Sequence, residues 1–121
     1  ANHQVRYIDH ISQEKLIEHY KKAKVHAMVS WFETTGLSSL EAAACGCNPV
    51  ISDKGDQREY FRDEVLYCDP NSVDSIRDAL LLAHYSDVSE SLINRINKKY
   101  TWSITAEKTM KAYRFAVNKK K

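Results

Sequence analysis

Two carboxylates, Glu33 and Glu41, bracket the seven residues Thr34-Thr35-Gly36-Leu37-Ser38-Ser39-Leu40. A carboxylate accepts two hydrogen bonds at once, which suits a vicinal diol such as the 2′- and 3′-hydroxyls of a ribose. Gly36 lets the backbone approach a ligand where a side chain would block it. From Ser38 the chain runs Leu40-Glu41-Ala42-Ala43-Ala44 to Gly46, a short helix with a glycine stop. The N-terminus of such a helix presents unpaired backbone N–H groups and the positive end of a dipole, a ready site for phosphate. Plainer readings exist for the same residues. Ser38-x-x-Glu41 is a capping box that stabilises a helix without any ligand, and Glu33 alone reads as a solvated loop acid.

These residues need a frame to hold them. Val5-Arg6-Tyr7-Ile8 alternates and reads as a first strand. Ser12 then caps a helix of about ten residues with Leu16, Ile17, Tyr20 and Ala23 on one face. Val25 to Val29 is a second strand, Pro49-Val50-Ile51-Ser52 a third and Val65 to Cys68 a short fourth. Gln57 to Phe61 suggests one helical turn, and Asp69-Pro70-Asn71-Ser72 a turn followed by an N-cap. Val73, Ile76, Leu80 and Ala83 space out the next helix, and Leu92, Ile93 and Ile96 another. Trp102, Ala106, Met110, Tyr113 and Val117 mark the last. Trp31, Phe32 and Trp102 are expected in the core. Strands alternating with helices imply a parallel sheet, so the fold class is α/β, a partial Rossmann-like sheet of about four strands with flanking helices. Ligands in such sheets bind beyond the carboxyl ends of the strands. The loops there are Asp9 to Ile11, Ser30 to Leu37 and Asp53 to Asp56, and the middle one is the richest.

Composition narrows the classes further. The chain has 121 residues with 3 glycines and 2 prolines, where average usage gives about eight and about six. All three glycines, Gly36, Gly46 and Gly55, fall between positions 36 and 55, so unusual backbone is concentrated in one place. At this length residues 1–121 form a single domain around one core. A net charge of +2, from 18 basic and 16 acidic residues, is too balanced for a nucleic-acid partner, and Lys119-Lys120-Lys121 reads as a solvated end. No apolar run reaches the roughly 20 residues that span a bilayer, and no signal peptide is visible. The expected setting is cytoplasmic or peripheral at the cytosolic face of a membrane. Cys45, Cys47 and Cys68 are an odd number, and Cys45 and Cys47, in an Ala-rich stretch, are expected as reduced, buried thiols. A zinc site would need ligands that neither a CxxC nor a paired-His spacing supplies, so no metal is expected, and the five histidines read as surface or satisfied residues.

The run Glu33-Thr34-Thr35-Gly36-Leu37-Ser38-Ser39-Leu40-Glu41-Ala42-Ala43-Ala44-Cys45-Gly46 resembles the Glu-x7-Glu signature of the retaining glycosyltransferases of family 4, often E-G-F-G-L-x-x-x-E-A-M-A-C-G. Pro49-Val50-Ile51-Ser52 resembles that family's P-V-I-A/S strand, and Gly55 through Glu59 its G-G-x-x-E turn. Leu66-Tyr67 with Asp69-Pro70 is similar to its late strand. Tyr100-Thr101-Trp102-Ser103 is similar to its aromatic-x-Trp start of the final helix, and Leu16, Tyr20 and Ala23 to its L-x3-Y-x2-A helix. The resemblance implies the later part of the C-terminal, donor-binding domain of a two-Rossmann-domain (GT-B) enzyme. That enzyme transfers a sugar from a nucleotide-sugar donor with retention at the anomeric carbon, without a metal and with no cofactor beyond the donor. By position, Glu33 would face the donor sugar as the catalytic candidate, and Thr35, Gly36 and Leu37 would hold sugar hydroxyls and the distal phosphate. Ser38 would hold the diphosphate, Glu41 the ribose, and Ile11 would lie against the base through its backbone.

The sequence departs from the pattern in places. Thr34-Thr35 replaces the usual Gly-Phe, Asp9 replaces a usual Gly, and Cys47-Asn48 adds a residue before Pro49. Nothing matches the family's phosphate-binding Arg/Lys pair or its N-terminal acceptor domain, so the isolated chain is expected to transfer no sugar. Two other classes compete. A non-catalytic module derived from a glycosyltransferase would self-associate through the sheet edge that the missing strands expose. A receiver-like signalling domain would use Asp53 as phosphoacceptor, but it needs an acidic pair after its first strand and a late Lys-Pro. Only Asp9 is present, and Lys-Pro does not occur.

Overall fold

The structure is a computed structural model and describes residues 4–120. His3 and Lys121 of the basic tail lie outside the described residues. In chain order the elements are α1 (Gln13–Lys22), β1 (Val25–Met28), α2 (Leu37–Ala44), β2 (Asn48–Ser52), α3 (Arg58–Phe61), β3 (Leu66–Cys68), α4 (Val73–His84), α5 (Glu90–Lys99) and α6 (Trp102–Lys119). The strands form one parallel sheet in the order β1-β2-β3. In register, Val50 stands beside Ala27 and Leu66, and Ile51 beside Met28 and Tyr67.

The caps explain where several helices begin. Ser12 accepts from Lys15 N–H, and Ser72 from Ser75 N–H, each satisfying an amide that the first turn leaves unpaired. Ser89 and Thr101 do the same for α5 and α6. α2 ends in a Schellman motif. Cys47 N–H reaches Ala42 O and Gly46 N–H reaches Ala43 O, each at 3.0 Å, and the chain turns directly into β2.

β2 is the centre of the molecule, buried at all five positions. Successive side chains point to opposite faces of a strand, so Ile51 and Val50 seed two layers. Ile51 packs with Leu40 and Ala43 of α2, Phe61 of α3, and Leu92 and Ile96 of α5. Val50 packs with Cys68, Ala79 and Ala83, which places α4 on the other face. A third cluster, Tyr20 with Ala42 and Cys47, holds α1 against α2. The Cys47 thiol donates to Tyr20 O at 2.9 Å, and burial pushes its pKa up, so it stays a thiol. All three cysteines are free, with Cys47 and Cys68 buried and Cys45 half-buried.

Three expectations fail. Val5 to Ile8 forms no strand and is exposed, so among the described residues the sheet has three strands rather than four. The alternation supplies strand propensity, but a strand exists by pairing, and among the described residues no strand pairs with this segment. Trp31, Phe32 and Trp102 are not core: they are 67%, 66% and 80% exposed. None of the α6 residues is buried, because its apolar stripe has nothing packed against it among the described residues. Cys45 is only half-buried, since α2 turns it toward the partly open seam with α1.

A polar pair ties β1 to α2. His26 Nε2 lies 3.1 Å from the Oγ of the fully buried Ser39, and its ring stands edge-on to Tyr20. Burial lowers the His26 pKa, so the folded chain holds this ring neutral. The unfolded chain takes up a proton first as pH falls through about 6.5. Stability is therefore complete above that value and declines below it, toward the lower folded pKa. Urea unfolding at pH 7.5 and 5.5 should show this loss, and His26→Gln, which keeps a polar partner for Ser39, should reduce it. An equal loss in both proteins would assign the effect elsewhere.

Candidate functional site

The site forms where α2 begins. Leu40 N–H to Gly36 O, at 3.0 Å, is the first helical hydrogen bond. The amides of Leu37, Ser38 and Ser39 therefore have no partner within the helix and point out of its end. The N-cap is Gly36, in the left-handed region at φ 72° and ψ 55°, and no side chain caps the helix. This overturns the capping-box reading of Ser38 and Glu41. Ser38 lies inside the helix, and Glu41 Oε1 instead accepts from Gln13 Nε2, at 3.0 Å, at the start of α1. That bond brings the beginning of α1, with Ile11 two residues before Gln13, to the side of α2 that carries Glu41. Thr35, Ser38 and Glu41 are half-buried and Leu37 is exposed, so all four remain within reach of a ligand.

Glu33 is placed through its backbone. Its carbonyl accepts from Asp56 N–H at 2.9 Å, tying the loop after β1 to the loop after β2. Gly55 makes the approach possible, because a Cβ there would lie 2.1 Å from Glu33 O and 2.7 Å from Glu33 N. Gly55 is also at φ 92°, in the region that favours glycine. The β2 loop is itself bound to β3, with Asp53 N–H on Cys68 O at 3.0 Å. Loops from neighbouring strand ends therefore converge under the Glu33 segment.

Beside this helix end lies a hollow of about 450 Å³, within the usual size range of small-molecule sites. Thr35, Leu37 and Glu41 form one wall, and Tyr60, Tyr100 and Trp102 stand opposite. Tyr60 and Tyr100 meet edge to face with centroids 5.3 Å apart. Arg95 braces that wall, bonding Glu64 and, at 2.8 Å, Tyr60 O, while Ser89 Oγ donates to Glu64 at 2.8 Å. Burial works against the charge of Glu64, but the bonds from Arg95 and Ser89 outweigh it and hold its carboxyl below the usual range. Among the described residues no cluster of His, Cys, Asp and Glu could hold a metal ion. No helix among them is long and apolar enough to cross a membrane.

Of the residues singled out by sequence, Thr35, Gly36, Leu37, Ser38 and Glu41 share the α2 end, Glu33 joins them through the loop clamp, and Ile11 through α1. Reading the residues missed Gln13, Tyr60 and Gln57, which packs beneath Gly36. No local pattern marks them, since Gln13 meets Glu41 across 28 positions of chain. Gly55 did carry a signal, its place in the glycine cluster.

Comparison with known proteins shows the family and the fold. The family model described as Glycosyl transferases group 1 matches residues 1–99. The O-antigen chain mannosyltransferase B of Escherichia coli is 29% identical over 114 residues, covering 91% of this chain and 30% of that protein. The D-inositol 3-phosphate glycosyltransferase of Kribbella flavida is 28% identical, covering 92% and 28%. The sucrose-phosphate synthase structure from Thermosynechococcus elongatus superposes with a TM-score of 0.85 at 22% identity, over 97% of this chain and 31% of that one. The chain thus spans about 30% of the length of these two glycosyltransferase relatives.

Proposed function

The chain belongs to the glycosyl transferases group 1, and on that footing we propose that it is the donor-binding part of a retaining transferase that uses a nucleotide sugar. One observation carries the reading: the α2 N-terminus is uncapped, carries a glycine, and is flanked by Glu33 and a Glu41 that is engaged elsewhere than in a cap. The amides of Leu37 and Ser38, with the helix dipole, hold the diphosphate. Glu41 accepts from the ribose diol while Gln13 orients its carboxylate. Ile11 lies against the base. Glu33 faces the sugar near its anomeric carbon, and Thr35 and Gly36 offer amides to its hydroxyls. In the transfer, the bond from the anomeric carbon to the phosphate oxygen breaks as a bond to an acceptor hydroxyl forms on the same face, and the proton of that hydroxyl passes to the departing phosphate oxygen. The nucleoside diphosphate leaves, its negative charge stabilised by the helix end.

The acceptor is held by a further domain of a longer protein. Support comes from the share of the relatives that this chain spans, and from the exposed stripe of Trp102, Met110, Tyr113 and Val117 on α6. A stripe of that kind is an unfilled contact surface.

The test is a titration of the isotopically labelled chain with UDP-glucose and with GDP-mannose, read by NMR. Amides from Glu33 to Ser38 and at Glu41 should shift with at least one donor. Glu41→Ala should weaken binding about tenfold, the size of a lost pair of hydrogen bonds to a charged group. No response at Glu33, Gly36 and Glu41 to either donor would overturn the reading.

A further inference from the structure

One buried polar group has no task in the mechanism above. Gln57 is 1% exposed and lies at the start of α3, beneath the beginning of α2. Its Nε2 donates to Ser52 O at 3.4 Å, which fixes the direction of the carboxamide. Turned the other way, two oxygens would face each other. The remaining atom, Oε1, is buried without a hydrogen-bond partner. It points at Gly36, where a Cβ would stand 2.7 Å away. An unpaired buried acceptor destabilises a fold, and an apolar side chain of the same shape would remove that cost. The chain keeps a glutamine there, against the Gly36 N-cap of the helix that carries the site.

We propose that Gln57 is a sugar-binding residue: its Oε1 accepts a hydrogen bond from a hydroxyl of the donor sugar, directly or through one water, beside Gly36. This rests on the donor-site reading above and deepens it. The helix end imposes two opposite demands. The amides of Leu37 and Ser38 want an acceptor and favour an anion, whereas the carboxamide oxygen repels an anion and wants a donor. A phosphate meets only the first. A donor that carries a sugar meets both, because its diphosphate accepts from those amides and a sugar hydroxyl donates to Oε1. Gly36 keeps the space beside the oxygen free of any side chain, and Thr34 and Thr35 before it are exposed and half-buried in turn, so this stretch of the loop faces the ligand side. The ligand class is therefore a nucleoside diphosphate carrying a hydroxylated sugar, preferred over the bare nucleoside diphosphate.

Gln57→Met keeps the volume and removes the acceptor. Calorimetric titrations would compare UDP-glucose with UDP, and GDP-mannose with GDP, in wild type and variant. The wild type should prefer the sugar-bearing form of at least one pair. Gln57→Met should cut that preference about fivefold, the worth of one neutral hydrogen bond, with Tm unchanged or raised. In the wild type, the Gln57 carboxamide resonances should move with the sugar donor and not with the bare nucleotide. A preference that survives in Gln57→Met, or equal weakening of both ligands with a lowered Tm, overturns the proposal. So do carboxamide resonances that the sugar leaves unmoved, a readout that does not depend on the variant folding. If the wild type binds none of the four compounds, the donor-site reading falls and this one with it. If it binds them and only the preference persists in the variant, the Gln57 assignment falls alone.

Discussion

Gly55→Ala should abolish ligand binding at the α2 end and destabilise the chain by about 3 kcal/mol, the sum of a left-handed alanine and a backbone collision. The new methyl carbon would sit 2.1 Å from Glu33 O and 3.0 Å from Glu33 C, and both are backbone atoms that no rotamer change can move. The loop after β1 and the loop after β2 must then separate, which breaks the Asp56 N–H to Glu33 O bond and releases the Glu33 segment. Gly46→Ala is the matched control. Its φ is 100°, as unfavourable for alanine as that of Gly55, yet a Cβ there meets nothing within 4 Å. It should cost only the conformational part, about 1–2 kcal/mol, and leave binding intact. Urea unfolding with the same NMR titration measures both. Equal losses in the two variants would mean that the loop clamp contributes nothing.

Phe61→Ala should cost about 4 kcal/mol, a large share of the roughly 5–15 kcal/mol that holds an ordinary domain together. Phe61 has no exposed surface and packs in the cluster with Leu40, Ile51, Leu92 and Ile96. Its ring edge also lies 3.6 Å from where a Cβ on Gly36 would stand, so the cavity opens directly beneath the site. Trp102→Ala removes a larger side chain but should change stability by less than about 0.5 kcal/mol, because exposed positions contribute little. Denaturation of the two variants side by side would decide it. Comparable losses would show that Trp102 is buried in solution and that α6 packs differently from this structure.

That contrast marks where sequence reading works and where it stops. Helix starts were legible at Ser12 and Ser72, because an N-cap is a bond within three residues of its own position. The α/β class, the parallel sheet around Asn48–Ser52 and the family signature from Glu33 to Glu41 were legible too. They rest on strand and helix patterns, and on a spacing that a family shares. Burial was less so. Trp31, Phe32 and Trp102 are apolar enough for a core, but burial needs an opposing surface, and none lies against them among the described residues. Val5 to Ile8 has the alternation of a strand without a neighbour to pair with.

The amino-acid sequence by itself determined the family and the order of the paired strands and helices, and it marked the segment proposed to meet the ligand, because each is written in residues close together along the chain. The tertiary structure alone decided three things: that Glu41 answers to Gln13 and not to a cap, that Gly55 holds Glu33, and that Gln57 points an unpaired oxygen at Gly36. Each depends on side chains or backbone from different elements meeting within a few ångströms. Such distances are fixed only when the two faces of β2 collect their helices and the strand-end loops are drawn together.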